Sequence, residues 1–263
     1  MNDFQNKKVL ITGASSGIGL EFGRQFHAAG ANVCLVARRE ELLAKEVAQL
    51  NLLREGSASF IAADIASEGV EEVLEHIRST RVDILINNAG RGSFGQFEDL
   101  PIADEVQMVQ LNVISTMRLA HAVIPAMKAR KEGAIISVSS IAGFQALPFM
   151  STYAATKAFN LFHSMGLRYE LRSYNVKVLT VCPGPVDTEF SGVARLPGTV
   201  TGFARDSAAS VVSESINALR KNCAFVLPGL RAKLMGFGVN LMPRSFTTFI
   251  TSKFLKDTLQ RSK

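Results

Sequence analysis

The chain has 263 residues, 47% of them hydrophobic, and a formal net charge of +6 at pH 7. A chain of this size can bury a substantial core in one domain, and it contains no internal repeat, low-complexity tract or interdomain linker. Its apolar runs are too short to span a bilayer, and its scattered cysteines and histidines lack metal-ligand spacing, so we expect no metal. The polar residues 1–6 precede the first apolar run without a secretory signal, which predicts a cytoplasmic protein.

Seven short apolar runs alternate with helical stretches along the chain. The runs occupy residues 9–12, 33–37, 59–63, 84–86, 134–139, 176–181 and 224–227. Such alternation is typical of a parallel sheet covered by helices on both faces. We therefore predict an α/β fold with a doubly wound parallel β-sheet of about seven strands, arranged as a three-layer α/β/α sandwich.

A glycine-rich turn follows the first run, and it is predicted to open a helix over residues 17–29. In Gly13-Ala14-Ser15-Ser16-Gly17-Ile18-Gly19, the first glycine allows a tight turn and the second lets the backbone approach a pyrophosphate. The third lets the helix pack closely on the strand, and the helix N-terminus offers N–H groups to phosphate. The pattern predicts a Rossmann-like dinucleotide site, with a purely structural turn as the alternative.

The residues after the second run bear on the choice of nicotinamide cofactor. An Asp or Glu at this strand end usually meets a free ribose 2′-hydroxyl, whereas a nearby arginine accommodates a 2′-phosphate. This chain has Arg38 and Arg39 there, and Arg38, supported by Ser15 or Arg39, could hold a phosphate bidentately. We predict NADP(H) rather than NAD(H); the alternative is that both arginines are ordinary solubilising charges.

Tyr153 and Lys157 lie four residues apart in a predicted helix, and Ser140 precedes the tyrosine by thirteen residues. This spacing places the phenol and the ammonium on one helix face, one turn apart. Reduction of a carbonyl leaves an alkoxide that must take a proton from a group within reach. An ammonium lowers the pKa of a neighbouring phenol, and a serine hydroxyl can donate to the same oxygen. The pattern indicates a proton-transfer site, although alone it also fits a solvated helix face.

The entire net charge lies near the C-terminus. Residues 1–230 hold 22 Lys and Arg against 22 Asp and Glu, whereas residues 231–263 hold seven basic residues against Asp257 alone. The latter segment interleaves Phe246, Phe249, Ile250, Phe254 and Leu255 with its charges at near-helical spacing. We predict a dinucleotide-binding and catalytic domain over residues 1–230 and, as part of it, a basic amphipathic extension over residues 231–263.

The role of this extension is left open among three readings. It could pack on its own domain or a second subunit, form a lid over the active site, or make a peripheral membrane contact. We expect no nucleic acid partner, because no recognition motif accompanies the charge.

The motifs together resemble those of the short-chain dehydrogenase/reductase (SDR) superfamily, of the ordinary single-domain kind. The resemblance covers about residues 7–190. The matching motifs run in family order: Thr12-Gly13-Ala14-Ser15-Ser16-Gly17-Ile18-Gly19, Asp64-Ile65, Asn87-Asn88-Ala89-Gly90, Asn112, Ser139-Ser140, Tyr153 with Lys157, and Pro183-Gly184 with Thr188.

The resemblance implies a role for each matching residue. Tyr153 would be the general acid/base and Ser140 would position the carbonyl, while Lys157 would bind the nicotinamide ribose and Asn112 would hold a water-linked proton relay to Lys157. Asp64 would contact the adenine, with Ile65 as its backbone partner. The other implied cofactor contacts are Gly13, Ser15, Ser16, Gly17, Ile18, Gly19, Asn88, Ala89, Gly90, Pro183, Gly184, Val186 and Thr188, to which Arg38 and Arg39 are added.

These expectations combine into one predicted function. The protein would be an NADP(H)-dependent oxidoreductase that exchanges a hydride with a carbonyl or secondary alcohol, most simply an apolar ketone, aldehyde or 3-oxoacyl compound. The resemblance further implies a homodimer or homotetramer packed through helices near residues 103–129 and 152–174, and a loop at 191–198 that closes over the substrate. The alternative is a non-catalytic dinucleotide-binding sensor or scaffold that acts through its basic tail.

Overall fold

A computed structural model describes residues 4–194 and 205–261 of the protein. All seven strands are parallel and form one sheet in the order β3-β2-β1-β4-β5-β6-β7. They are β1 (Lys8–Thr12), β2 (Asn32–Ala37), β3 (Ala58–Ala62), β4 (Ile84–Asn87), β5 (Gly133–Val138), β6 (Val176–Val181) and β7 (Phe225–Val226). The predicted doubly wound parallel sheet is confirmed, and each strand begins and ends close to its predicted apolar run.

Helices connect the strands and cover both faces of the sheet. They are α1 (Gly17–Ala28), α2 (Glu40–Leu53), α3 (Val70–Ser79), α4 (Ile102–Val109), α5 (Thr116–Arg130), α6 (Ser151–Leu171), α7 (Phe190–Val193), α8 (Ala208–Arg220), α9 (Leu230–Leu241) and α10 (Arg244–Arg261). Among the described residues, none of these helices is long and apolar enough to cross a membrane.

The alternation of side chains along each strand divides the core into two layers. Val9 and Ile11 of β1 point into one apolar cluster, together with Phe22 of α1, whereas Leu10 points into the other. The second cluster contains Leu119 of α5 on the opposite face of the sheet. Successive residues of a strand face opposite sides, so a run with every position apolar must be covered on both faces. This arrangement is the predicted three-layer α/β/α sandwich.

The order of the strands reverses between β1 and β4, and this reversal locates a crevice. β1 pairs with β2 on one side and with β4 on the other, so the connections after β1 and β4 leave toward opposite faces of the sheet. In open α/β sheets, ligands bind at such a switch point, beyond the carboxyl ends of the strands. The glycine turn after β1 and the Asn88-Ala89-Gly90 segment after β4 both lie there.

The basic C-terminal segment forms the helices α9 and α10. In α10, the buried residues are Thr247, Leu255 and Thr258, which share one stripe of the helix. The sequence analysis placed Leu255 in one apolar set with Phe246 and Phe249. In the structure Leu255 is buried, whereas Phe246 and Phe249 lie on the exposed side of the helix. The helix docks through the stripe formed by Leu255 and the two threonines and leaves its aromatic residues outward.

Candidate active site

One cavity of about 600 Å³ runs along the carboxyl ends of the strands and contains nearly all of the predicted site residues. Gly19 and Asn112 lie behind its lining rather than on it. The predicted residues that line it are Gly13, Ser15, Ser16, Gly17, Ile18, Arg38, Arg39, Asp64, Ile65, Asn88, Ala89, Gly90, Ser140, Tyr153, Lys157, Pro183, Gly184, Val186 and Thr188. The fold thus gathers segments that are distant in the sequence around a single cavity.

The glycine turn forms the floor of the cavity at one end. Gly13 has φ +66°, a left-handed conformation that disfavours residues with a Cβ atom. A Cβ atom on Gly19 would lie only 2.3 Å from the Gly13 carbonyl oxygen, so this position of α1 tolerates no side chain. The Ser16 side chain makes no hydrogen bond that caps α1. A tight glycine turn that opens a helix without a side-chain cap fits the pyrophosphate of a dinucleotide.

A set of hydrogen bonds ties this turn to the segment after β4. The Thr12 Oγ1 atom accepts hydrogen bonds from the backbone N–H groups of Asn88 and Ala89, both at 3.1 Å. The Asn88 amide in turn donates to the carbonyl oxygens of Thr12 at 2.9 Å and Gly13 at 3.2 Å. These hydrogen bonds fix the two segments to each other and so define the shape of the cavity floor.

The two arginines after β2 lie at the same end of the cavity and have different partners. The Arg38 Nη1 atom lies 3.7 Å from the Asp64 Oδ2 atom. Arg39 donates hydrogen bonds to Ser15 Oγ at 3.0 and 3.1 Å and to Ser16 Oγ at 2.8 Å. The sequence analysis expected Arg38, supported by Ser15 or Arg39, to hold a phosphate; in the structure Arg39 contacts Ser15, and Arg38 faces Asp64. A guanidinium with two serine hydroxyls is a donor set that suits a phosphate group.

At the other end, α6 carries Tyr153 and Lys157 one turn apart, and both side chains are buried. The Lys157 ammonium donates to the Val138 carbonyl oxygen at 2.9 Å and lies 5.8 Å from the centre of the tyrosine ring. The Ser139 hydroxyl donates to the Lys157 carbonyl oxygen at 2.7 Å and so holds α6 against the end of β5. The predicted helix face is therefore directed into the protein rather than into solvent.

Ser140 lies between the end of β5 and a short 3₁₀ turn over Ile141–Phe144. Its Oγ atom accepts a hydrogen bond from the Ala142 N–H group at 3.1 Å, which caps this turn. The hydroxyl donates to the Pro183 carbonyl oxygen at 3.5 Å, and its interaction with the Tyr153 phenol lowers the pKa of that group. Because the cap fixes the rotamer of Ser140, its hydroxyl is held beside the phenol in the cavity.

Burial dominates the ionisation of the phenol and the ammonium. It raises the pKa of Tyr153 to about 12, and the hydrogen bond to Ser140 acts in the opposite direction. Burial lowers the pKa of Lys157 to about 8, against a smaller opposing effect of Cys182. The sequence prediction of a lowered tyrosine pKa differs from this structure, because desolvation of a fully buried phenolate outweighs an ammonium that faces the Val138 carbonyl. At neutral pH the phenol therefore carries its proton.

Asn112 is fully buried in a π-helical turn, Gln110–Ser115, that joins α4 to α5. Its side-chain amide donates to the carbonyl oxygen of Arg91 at 2.9 Å and to Thr156 Oγ1 at 3.0 Å, and its Oδ1 atom accepts from the Arg91 N–H group at 3.0 Å. A Cβ atom on Gly90 would lie 3.3 Å from both Asn112 Oδ1 and Lys157 Nζ. Asn112 thus approaches the lysine across the bare backbone of Gly90.

The cavity wall around Tyr153 contains apolar residues that the sequence motifs did not reveal. Leu147, Met150 and Phe190 line this part of the cavity, and the Phe190 ring lies 5.5 Å from the tyrosine ring. The first two belong to a segment without a recognisable motif, and the only signal for Phe190 was its position just after Thr188. The first part of the loop predicted to close over the substrate, residues 191–198, belongs to the end of α7, whereas residues 195–198 lie outside the described residues.

Comparisons with known proteins agree with this architecture. The sequence pattern of the short chain dehydrogenase family matches residues 7–196. Retinol dehydrogenase 8 of Bos taurus is 37% identical over 205 residues, which are 73% of this chain and 65% of that protein, so the chain spans slightly less than two thirds of this relative. Dehydrogenase/reductase SDR family member 7B of Xenopus tropicalis is 31% identical over 96% of this chain and 87% of its own length.

Solved structures give the same result. A short-chain dehydrogenase from Sphingobium yanoikuyae in complex with NADPH superposes with a TM-score of 0.81 at 33% identity, covering 85% of this chain and 88% of the other. A bulky-bulky ketone specific alcohol dehydrogenase from Comamonas testosteroni gives a TM-score of 0.77 at 30% identity, covering 85% and 86%. With its glycine turn, its parallel sheet and the family pattern over residues 7–196, the chain belongs to the short-chain dehydrogenase/reductase superfamily of oxidoreductases.

Proposed function

We propose that this protein is an NADP(H)-dependent reductase of apolar ketones or aldehydes, with Tyr153 as its general acid. The observation that carries this proposal is the single cavity that joins the glycine turn and Arg39 at one end to the buried Tyr153, Lys157 and Ser140 at the other. The donors at the first end fit a dinucleotide, and those at the second fit an oxygen that gains negative charge.

When bound, the nicotinamide cofactor supplies the hydride to the carbonyl carbon of the substrate. The chain's own residues manage the proton. Because the pKa of Tyr153 is raised to about 12, its phenol is protonated at neutral pH and donates to the oxygen that becomes an alkoxide. The Ser140 hydroxyl donates a hydrogen bond to the same oxygen. Lys157, with a pKa of about 8, is mostly charged at neutral pH and stabilises the phenolate that remains.

The preference for NADP(H) rests on the donor set at the end of β2. Arg39, Ser15 and Ser16 are joined by hydrogen bonds at 2.8–3.1 Å and lie on the cavity surface, where a 2′-phosphate could be held. The related protein from Sphingobium yanoikuyae was solved with NADPH. We propose a cytoplasmic location for this NADPH-dependent reductase. The test is calorimetric titration with NADPH and NADH, and equal or tighter binding of NADH would refute this preference.

The substrate class follows from the wall near Tyr153. Leu147, Met150 and Phe190 give this region an apolar surface. Burial of a charged sugar or acid against this wall would cost hydration free energy with no polar partner to compensate, whereas burial of an apolar ketone would cost little. Two relatives carry names of the same kind, a retinol dehydrogenase and an alcohol dehydrogenase specific for bulky ketones. We therefore infer that the substrate is an apolar carbonyl compound or the corresponding secondary alcohol.

The experiment follows NADPH oxidation over a panel of apolar ketones, aldehydes and 3-oxoacyl compounds. The wild-type protein should turn over at least one apolar class, and Tyr153→Phe should lose about two to four orders of magnitude in kcat. The same variant should retain the Kd of the wild type for NADPH, because the ring and its packing persist. Full turnover by Tyr153→Phe would show that another group donates the proton.

We also propose that the protein forms a homo-oligomer through α4 and α6. Large apolar side chains on these helices are exposed, among them Ile102, Val106, Phe162 and Tyr169. Large apolar side chains that share an exposed helix face can be covered by a second subunit. Sedimentation of the wild type and of a Phe162→Asp variant tests this proposal. Dimers or tetramers are expected for the wild type and a shift toward monomers for the variant.

A further inference from the structure

We propose that α9 and α10 form a docking surface for an anionic lipid bilayer, and that this surface lies against the substrate end of the cavity. The docking itself is independent of the enzymatic activity proposed above; only the last step, on the route of the substrate, rests on it. The proposal follows from three features of the same two helices: their exposed apolar side chains, their charge and the side of α10 that is buried.

The first feature is a set of exposed apolar residues along α9, α10 and the turn between them, named here the terminal apolar face. These side chains are between 44% and 65% exposed, and they are Leu234, Met235, Met242, Phe246, Phe249 and Ile250. Isolated exposed apolar residues are ordinary, whereas a concentration in so short a segment marks a binding surface. Phe246, Phe249 and Ile250 follow one another at helical spacing, so they lie on one side of α10.

The second feature is that the opposite side of α10 is buried. This burial fixes the orientation of the helix, so the terminal apolar face points outward. Thr247, Leu255 and Thr258 are buried against the protein. Leu255 belongs to an apolar cluster that also contains Met150 and Tyr153. Because α10 is held by this stripe, the apolar residues on its other side cannot turn inward without undocking the helix. They therefore face away from the described chain and are accessible to a partner.

The third feature is charge, and it selects the partner. Residues 231–263 carry seven basic residues against one acidic residue, and Arg244, Lys253 and Lys256 are exposed. The Lys253 Nζ atom lies 4.6 Å from the centre of the Phe249 ring, so positive charge directly borders the terminal apolar face. A basic surface that surrounds exposed Phe and Leu side chains is the composition by which helices bind at the headgroup level of anionic bilayers.

A second copy of the chain is a poorer occupant of this surface. A twofold interface would place the same basic surface of both copies together, and like charges in contact oppose association. Anionic headgroups supply the opposite charge, and the acyl boundary accommodates the apolar side chains. Charge complementarity therefore favours lipid over self-association.

The location of α10 gives docking a consequence for the reaction. Leu255 contacts the cluster that includes Met150 and Tyr153, and Met150 and Tyr153 also line the cavity. A bilayer bound on the outer side of α10 would lie one helix diameter, about 10 Å, from the substrate wall. An apolar carbonyl compound dissolved in the bilayer could then reach the cavity with a short passage through water. This step explains why a reductase of apolar substrates would carry such a surface.

Vesicle co-sedimentation of the full chain tests the docking. Vesicles of phosphatidylcholine with about one third phosphatidylserine are compared with phosphatidylcholine alone. Two variants remove one feature each: Phe246→Ser with Ile250→Ser removes apolar area, and Lys253→Glu with Lys256→Glu reverses charge. Each should lower the partition coefficient on anionic vesicles about tenfold or more. The matched control, Leu52→Ser with Leu53→Ser, removes two exposed apolar residues from α2 and should leave binding unchanged.

The outcomes separate the alternatives. Circular dichroism and the Kd for NADPH should be unaltered in all variants, since none of these residues lines the cavity. Failure of the wild type to bind anionic vesicles, or loss of binding in the α2 control alone, overturns the proposal. If the serine variant changes the oligomeric state in sedimentation and leaves vesicle binding intact, the terminal apolar face is a subunit contact. None of these results depends on catalytic turnover, so the proposed function stands or fails separately.

Discussion

Arg39 and Glu189 form an ion pair at the edge of the cavity, with 2.8 Å between Nη1 and Oε2. The same guanidinium donates to Ser15 and Ser16, so the Glu189 carboxylate accepts from a donor set that would otherwise suit a phosphate. The hydrogen bonds from Arg39 and Ser16 keep the pKa of Glu189 below its usual range, and the carboxylate is ionised at neutral pH. Glu189 therefore acts as an internal anion on the surface proposed for the 2′-phosphate.

Glu189→Gln is expected to tighten the binding of NADPH. The pair is largely exposed, so its own contribution is about 1 kcal/mol or less. Because a phosphate must displace the carboxylate from Arg39, removal of its charge should lower the Kd for NADPH about threefold to fivefold. The effect on NADH should be smaller, since NADH has no 2′-phosphate. Calorimetric titration of both dinucleotides measures the difference.

Arg39→Met and Glu55→Gln are the companion variants. Arg39→Met should weaken the binding of NADPH but not that of NADH. Glu55→Gln changes an exposed carboxylate in the loop after α2 and should leave the binding of both dinucleotides unchanged. If Arg39→Met weakens NADPH while Glu189→Gln leaves it unaltered, the competition is refuted and the cofactor preference stands. If Arg39→Met weakens both dinucleotides equally, the arginine does not read the 2′-phosphate.

The buried ammonium of Lys157 makes a pH-dependent contribution to stability. Its pKa is lowered to about 8 in the folded protein from 10.5, so the unfolded chain binds more protons between these two values. The free energy of unfolding contributed by this group therefore rises as the pH increases through that window. Lys157→Met removes the titration, and the stability of the wild type relative to this variant should increase from pH 7.5 to pH 9.5, as measured by urea unfolding.

The wild type must be compared with Lys157→Met at each pH, because the titration of other buried groups changes the free energy of unfolding in the opposite direction. Burial raises the pKa of Cys34 to about 11 from 9.0. The contribution of this thiol to the free energy of unfolding therefore falls as the pH increases between these two values. Such effects cancel when wild type and variant are compared at each pH. Lys45→Met removes an exposed lysine of α2 and leaves Lys157 in place, so it serves as the matched control variant. A constant difference for Lys157→Met would mean that the ammonium is not desolvated.

Gly19 and Gly166 provide opposite tests of the fold. A Cβ atom on Gly19 would meet the Gly13 carbonyl oxygen at 2.3 Å, whereas a Cβ atom on Gly166 in α6 would meet no atom within 4 Å. Gly19→Ala should cost about 3 kcal/mol of stability and weaken dinucleotide binding, since β1 and α1 must separate. Gly166→Ala should add about 0.5–1 kcal/mol through helix propensity. Thermal unfolding with and without NADPH measures both, and a neutral Gly19→Ala would contradict the tight turn.

The features of this protein that could be predicted from its sequence are those in which one local physical constraint selects the residue. The strands could be predicted because side chains covered on both faces must all be apolar, as in Val9 to Ile11. The family pattern identified the motif residues that line the cavity, because a tight turn and a proton donor each restrict the residue type. Features that depend on distant partners could not be predicted: the contact of Glu189 with Arg39, the apolar wall of Leu147 and Met150, and the burial that raises the pKa of Tyr153.

Gly92→Ala should separate cofactor binding from turnover. A Cβ atom at this position would lie 2.9 Å from Phe190 Cζ and 3.3 Å from Tyr153 Cδ2, so both rings must shift. Displacement of the proton donor by a fraction of an ångström should lower kcat about tenfold or more, while the Kd for NADPH stays constant. Phe190→Leu in the same protein should restore part of the activity, because it removes the closest atom. Gly192→Ala, where a Cβ atom meets nothing within 4 Å, is the control. Equal losses in Gly92→Ala and Gly192→Ala, or no rescue by Phe190→Leu, would show that the packing of Phe190 does not position Tyr153.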